Sequence, residues 1–152
     1  MLNIIINTDY LKSWNGIFNL LQLVFGAICT GIIGSIEIYN SIITIGPLYQ
    51  KECFFFIVSS TFFIGTFIFF ISNLVSPFTA SILPKTLHER LYNFFAAVLL
   101  FVASLCLILE IHTAKTAFNN YKPLLAASIC GLINTILYIS SGSIACVANL
   151  IK

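Results

Sequence analysis

Four long apolar runs, almost free of charge, constrain this chain more than any other feature. They cover approximately Ile17–Ile38, Cys53–Val75, Leu91–Ile111 and Leu124–Val147. Each reaches the ~20 residues that a helix needs to cross the hydrocarbon core of a bilayer. Glu37 is the only charged residue in the first run, and Glu110 the only one in the other three; each sits one residue from the end of its run. A segment in lipid must satisfy its backbone internally, which leaves helices or a closed barrel. Barrel strands are about 10 residues long and alternate in polarity. The run Cys53-Phe54-Phe55-Phe56-Ile57-Val58 does not alternate. The expected fold is therefore an all-α membrane protein, a four-transmembrane-helix bundle with short loops. Residues 1–152 are expected to form a single transmembrane domain.

Composition excludes the other classes. Apolar residues make up 59% of the chain and charged residues 8%, with a mean hydropathy of +1.03. A soluble domain carries roughly a quarter charged residues, and disorder needs low hydrophobicity with high net charge. A net charge of +2 is too small for a nucleic-acid footprint, which requires clustered Lys and Arg. Pro47, Pro77, Pro84 and Pro123 all fall outside the four runs, as expected if the runs are uninterrupted helices. Tyr10, Trp14, Tyr39, Tyr49, Tyr92 and Tyr121 flank them, at the headgroup level that amphipathic rings prefer.

Four crossings place both termini on one side. Lys12, Lys85, Arg90 and Lys152 then share that side, against Lys51, Lys115 and Lys122 on the other. The positive-inside rule leans toward cytosolic termini. The first run is longer than the apolar region of a signal peptide, and Asp9 as well as Lys12 precedes it. It reads as an uncleaved signal anchor.

Apolar burial cannot drive helix association in lipid, so small residues and polar ties must. The first run offers Ala27, Gly31 and Ser35 at four-residue spacing, and the fourth offers Ala127, Gly131 and Thr135. The third carries Ala97 and Ser104, with Ala96 and Ala103 beside them; the second has Thr61 and Gly65. These faces are expected to pack the bundle internally, with a dimer seam as the alternative. Gln22 and Asn134 are intramembrane amides, expected to tie helices together. Glu37 and Glu110 share one membrane face, where they would act as interfacial anchors or, alternatively, as a coupled proton or cation site.

Material for catalysis is scarce. His88-Glu89 resembles the start of a zincin motif, but the required second histidine would be at Tyr92. No nucleophile elbow or phosphate-binding loop is present, so the expectation is a protein that is not an enzyme and has no cofactor or metal. None of Cys29, Cys53, Cys106, Cys130 and Cys146 forms a CxxC pair. Cys146, near the cytosolic end of the last run, is a candidate for S-palmitoylation.

Two stretches resemble the MARVEL family. Leu11-Lys12-Ser13-Trp14-Asn15-Gly16-Ile17, followed by Asn19-Leu20-Leu21-Gln22-Leu23-Val24-Phe25-Gly26, resembles the opening of a MARVEL domain. Leu91-Tyr92-Asn93-Phe94-Phe95-Ala96-Ala97-Val98, with Ala103-Ser104 and Leu109-Glu110, resembles its third helix. The short loops look like the small MAL, chemokine-like-factor or singles-bar types. The resemblance implies cytosolic termini and a non-enzymatic role in vesicle trafficking, membrane apposition or cell–cell fusion, including myoblast fusion. It places the protein at the plasma membrane or on trafficking vesicles. Its partners would be membrane lipids and, beyond those, other copies of itself or other membrane proteins. The residues alone leave two alternatives open. One is a small transporter or channel subunit using Gln22, Asn134, Glu37 and Glu110; the other is an accessory subunit of a larger membrane complex.

Overall fold

The computed structural model describes residues 8–43, 50–75, 87–113 and 121–150. All described elements are helices: α1 (Thr8–Lys12), α2 (Trp14–Ile43), α3 (Gln50–Val75), α4 (Leu87–Thr113) and α5 (Tyr121–Leu150). Four of them are long and apolar enough to cross a membrane. α2, α4 and α5 run past both ends of the apolar stretch they contain, and α3 past its start. Pro123 sits in the first turn of α5, where a missing N–H costs nothing.

The long helices alternate in direction and close a ring in sequence order, α2 on α3, α3 on α4, α4 on α5 and α5 back on α2. Contacts fix the antiparallel register. Gln22 meets the Leu137 carbonyl, while Cys29, two turns on, meets that of Ala127. Likewise Gly26 faces Phe63 and Gly34 faces Phe56 across the α2–α3 pair. The core contains Ile33, Phe55, Leu100, Leu107, Leu124 and Tyr138, none more than 1% exposed. Long side chains such as Phe55 and Tyr138 reach across the diagonals of the ring.

The α4–α5 pair is the most extensive among the described helices. Ala96, Ala97, Ala103 and Ser104 on α4 are buried, as are Ala127, Ser128, Gly131 and Thr135 on α5. Removing bulk from both faces lets the backbones approach, so that dispersion contacts replace the hydrophobic drive that lipid cannot supply. A Cβ on Gly131 would collide with Ser104 Oγ and lie 2.9 Å from the Phe55 ring. The outward faces carry bulky apolar groups instead, including Ile57, Ile68, Phe94, Leu109 and Ile136, each more than half exposed. That is the lipid-facing surface.

At the N-terminal end, α1 folds back beside α2 through a bend at Ser13. The Ser13 hydroxyl donates to the Tyr10 carbonyl and accepts from the Gly16 amide. The Tyr10 carbonyl occupies the space that a Gly16 side chain would need. This turn swings Tyr10 into the bundle, where it is 5% exposed, and leaves Trp14 71% exposed.

Candidate functional site

Polar side chains line the interior of the bundle, and toward the end that α1 covers they come from α1, α2, α3, α4 and α5 alike. They turn inward by spacing. On α3, Glu52, Ser59, Thr66 and Asn73 recur every seven residues and are all buried. Seven residues are two helical turns, so one polar seam faces inward along the helix. Asn15, Asn19 and Gln22 share a face of α2 by the same logic, Glu89 and Asn93 share one on α4, and Thr135, Tyr138 and Ser141 share one on α5. In lipid the usual amphipathic arrangement is inverted, and polar groups turn inward because the solvent is apolar.

A hydroxyl network ties three helices together. Thr66 Oγ1 lies 2.5 Å from Tyr138 Oη and 3.0 Å from Tyr92 Oη. Tyr92 also donates to the Phe62 carbonyl at 2.9 Å, with Tyr138 reaching the same oxygen at 3.4 Å. Phe62, Phe69, Tyr92 and Tyr138 pack edge to face, with ring centroids 4.8–6.3 Å apart, the arrangement that the ring quadrupoles favour. The rings fill the volume between α3, α4 and α5 while their hydroxyls satisfy one another, so little unpaired polarity remains at this level. Nearby, Asn93 donates to Ser141 at 3.5 Å, a long bond at the α4–α5 seam.

Closer to the end of the bundle, Tyr10 Oη accepts from Asn19 Nδ2 at 2.7 Å and from Asn73 Nδ2 at 3.3 Å. Tyr10 thus links α1 to both α2 and α3. Burial pushes its phenol above the ordinary value, the two amide bonds act in the opposite direction, and the charge of Glu89 raises it further. Glu89, in the first turn of α4, is 5% exposed.

The sequence-derived residues divide between the interior and the surface. Gln22 is buried and donates to the Leu137 carbonyl at 3.2 Å, tying α2 to α5. Asn134 is buried, with no hydrogen-bond partner for its Oδ1 among the described residues. Glu110 is half-buried, and its Oε2 is likewise unpartnered among them. The side chains of Glu37 and Cys146 lie outside the described residues. Ala127, Gly131 and Thr135 line the interior of α5.

Ala27, Gly31 and Ser35 instead face outward. An added Cβ on Gly31 would meet nothing within 4 Å. Cys29, Ile33 and Ile36 form the face of α2 that packs inside. The physical reason is registration: the buried amides Asn19 and Gln22 fix which side of α2 turns inward, and the small stripe lies on the other. A Gly31→Leu protein should therefore melt within about 1 °C of wild type in mild detergent, because a surface substitution away from special features costs under about 0.5 kcal/mol. A loss of several degrees would show that the face is packed.

Sequence reasoning did not single out Tyr10, Asn19, Thr66, Asn73, Glu89, Asn93, Tyr138 or Ser141 as site residues. The signal was present in the seven-residue recurrence on α3. It was masked there by the density of phenylalanine in the same helix.

Residues 10–142 match the family model of the MARVEL membrane-associating domain. No curated protein and no solved structure matches the chain. The matched stretch runs from Tyr10, which anchors α1, through the four spans to the end of the α4–α5 seam. With this match and four helices of spanning length and composition, the chain is an integral, multi-pass membrane protein that belongs to the MARVEL family.

Proposed function

We propose that this protein is a non-enzymatic membrane organiser. It packs laterally in the bilayer and brings vesicle and plasma membranes into apposition, in trafficking or in cell–cell fusion. The observation that carries the reading is the family match over residues 10–142, on a bundle that turns its polar groups inward and presents bulky apolar side chains to lipid. Such a surface interacts with acyl chains and with other membrane proteins, not with aqueous solutes. Both termini lie in the cytosol in this reading, which places Trp14 and Lys12 in the cytosolic headgroup layer. Aromatic and basic side chains are favoured there.

The experiment is selective permeabilisation of cells carrying tags at both ends, imaged for compartment. Both tags should require plasma-membrane permeabilisation for detection, and the signal should lie at vesicles or cell contacts. A tag exposed on intact cells would overturn the orientation. A uniform signal in an unrelated organelle membrane would overturn the role.

A further inference from the structure

At the polar end of the bundle several buried acceptors stand without donors among the described residues. Asn73 is 1% exposed and Glu89 is 5% exposed. Asn73 Oδ1 and Glu89 Oε2 are each buried and without a hydrogen-bond partner among the described residues. Asn15 Oδ1 is in the same condition, and Asn15 lies one turn before Asn19 on the same face of α2. These residues belong to one locality. Asn19 and Asn73 both donate to Tyr10 Oη, the Tyr10 ring packs 6.2 Å from Phe70 one turn before Asn73 on α3, and Glu89 follows His88, whose ring lies 5.9 Å from Phe69 at the same level of the α3–α4 pair. Asn73 spends its amide N–H on Tyr10, which leaves its carbonyl oxygen free.

An unpartnered buried acceptor costs about 1–3 kcal/mol, and more if it is charged. A carboxylate buried without a counter-charge is costlier still. Compensation from the chain itself is not in view among the described residues. On α1, Lys12 is exposed; on α4, His88 is exposed and Arg90 is half-buried. Arg90 Nε lacks a hydrogen-bond partner, as Glu89 Oε2 does, so these two atoms do not satisfy each other. The described parts of α2, α3 and α5 place no charged side chain at this end.

We propose that this end of the bundle binds a small monovalent cation, Na+ or K+, between Asn73 Oδ1 and Glu89 Oε2, with Tyr10 of α1 closing the site. Neutral and anionic oxygens suit a hard cation. The described residues hold no group of three His, Cys, Asp or Glu side chains of the kind a transition metal takes. One carboxylate supplies the single charge that a monovalent ion balances, and water completes the coordination. Asn15 Oδ1 lies on the adjoining α2 face as a further ligand. Because Tyr10 ties α1 to the same cluster, cation binding also fastens α1 to the bundle.

The test uses the full chain in mild detergent or nanodiscs, at fixed pH and ionic strength, with NaCl or KCl exchanged for N-methylglucamine chloride. Melting temperature is the first readout. Trp14, the single tryptophan, gives a second through its fluorescence, since it follows the turn that positions Tyr10. The melting temperature should rise saturably with Na+ or K+, by about 5 °C at ~100 times the dissociation constant, and the Trp14 signal should saturate in parallel. Glu89→Gln should abolish both responses and melt no lower than wild type does in N-methylglucamine, because it removes the uncompensated charge. Asn73→Ser, which keeps the charge but withdraws the oxygen, should weaken the apparent affinity by about tenfold or more. An unchanged wild-type melting temperature would overturn the proposal, as would a response that persists in Glu89→Gln. A rise produced by acidification but by neither cation would assign the site to a proton and overturn the cation.

Discussion

Replacing Tyr138 with alanine should destabilise the protein more than any other single truncation in the polar half of the bundle. The ring is 1% exposed and packs edge to face against Phe62 and Tyr92. Large-to-small changes at buried aromatics cost about 3–5 kcal/mol, which for a chain of this size is a fall of roughly 10 °C or more in melting temperature. Two companion variants separate packing from hydrogen bonding. Tyr138→Phe keeps the ring and leaves both Thr66 and the Phe62 carbonyl their bonds to Tyr92, so the loss is one good bond to Thr66 and a long 3.4 Å contact to Phe62. Intramembrane side-chain bonds average about 0.6 kcal/mol, and the loss should be of that order. Thr66→Val removes the shared partner of both phenols and should cost about 1–2 kcal/mol, because the Tyr138 hydroxyl is left with only its 3.4 Å contact to the Phe62 carbonyl. The predicted order of loss is Tyr138→Ala, then Thr66→Val, then Tyr138→Phe, read from thermal melts in one detergent. If Tyr138→Phe costs as much as Tyr138→Ala, the hydroxyl and not the ring holds this region together.

The second large effect is at Gly131. Its α-carbon faces Ser104 and the edge of Phe55 at the meeting of α3, α4 and α5. Any side chain there forces helices apart or drives Phe55 from its place. Overpacking of a close-packed interior costs about 1–3 kcal/mol and occasionally more. Gly131→Ala should fall within that range, and Gly131→Leu should exceed it, preventing the α4–α5 pair from closing. Gly131→Leu protein should then elute as aggregate on size exclusion, while Gly31→Leu, with the same change in bulk on the outer face, elutes as wild type. Equal behaviour of the two variants would contradict the helix orientations described above.

The contrast between these two glycines shows how far the sequence was legible. The four apolar runs and their uncharged length specify membrane helices almost without competition, because no other structure satisfies a backbone in lipid. Small residues at four-residue spacing, by contrast, mark a helix face that is able to pack closely without saying whether it does. α2 and α5 carry nearly the same pattern, yet Gly131 is buried and Gly31 is open. The difference goes with the ties of Asn19 to Tyr10 on α1 and of Gln22 to Leu137 on α5, and the second of these depends on where a helix far along the chain stands. The polar network was legible only in part. Gln22 and Asn134 stand out in apolar surroundings, whereas tyrosines near helix ends read first as interfacial anchors. Tyr10 and Tyr92 take that position in the sequence but turn their hydroxyls inward. Glu89 enters the sequence reading only as part of a metal motif with His88, which fails; its burial was not legible, because a carboxylate at a helix start is ordinarily solvated and favoured by the helix dipole.

The proposed function is that of a protein acting on membranes as bodies rather than on solutes. The most direct measurement reconstitutes the purified chain into two populations of vesicles, and follows vesicle–vesicle contact and release of a trapped small solute in the same sample. The proposed function predicts contact that rises with protein density, with solute retained at the level of protein-free vesicles. Solute flux that disappears on Glu37→Gln or Glu110→Gln, without any gain in vesicle contact, would contradict it and identify a transporter.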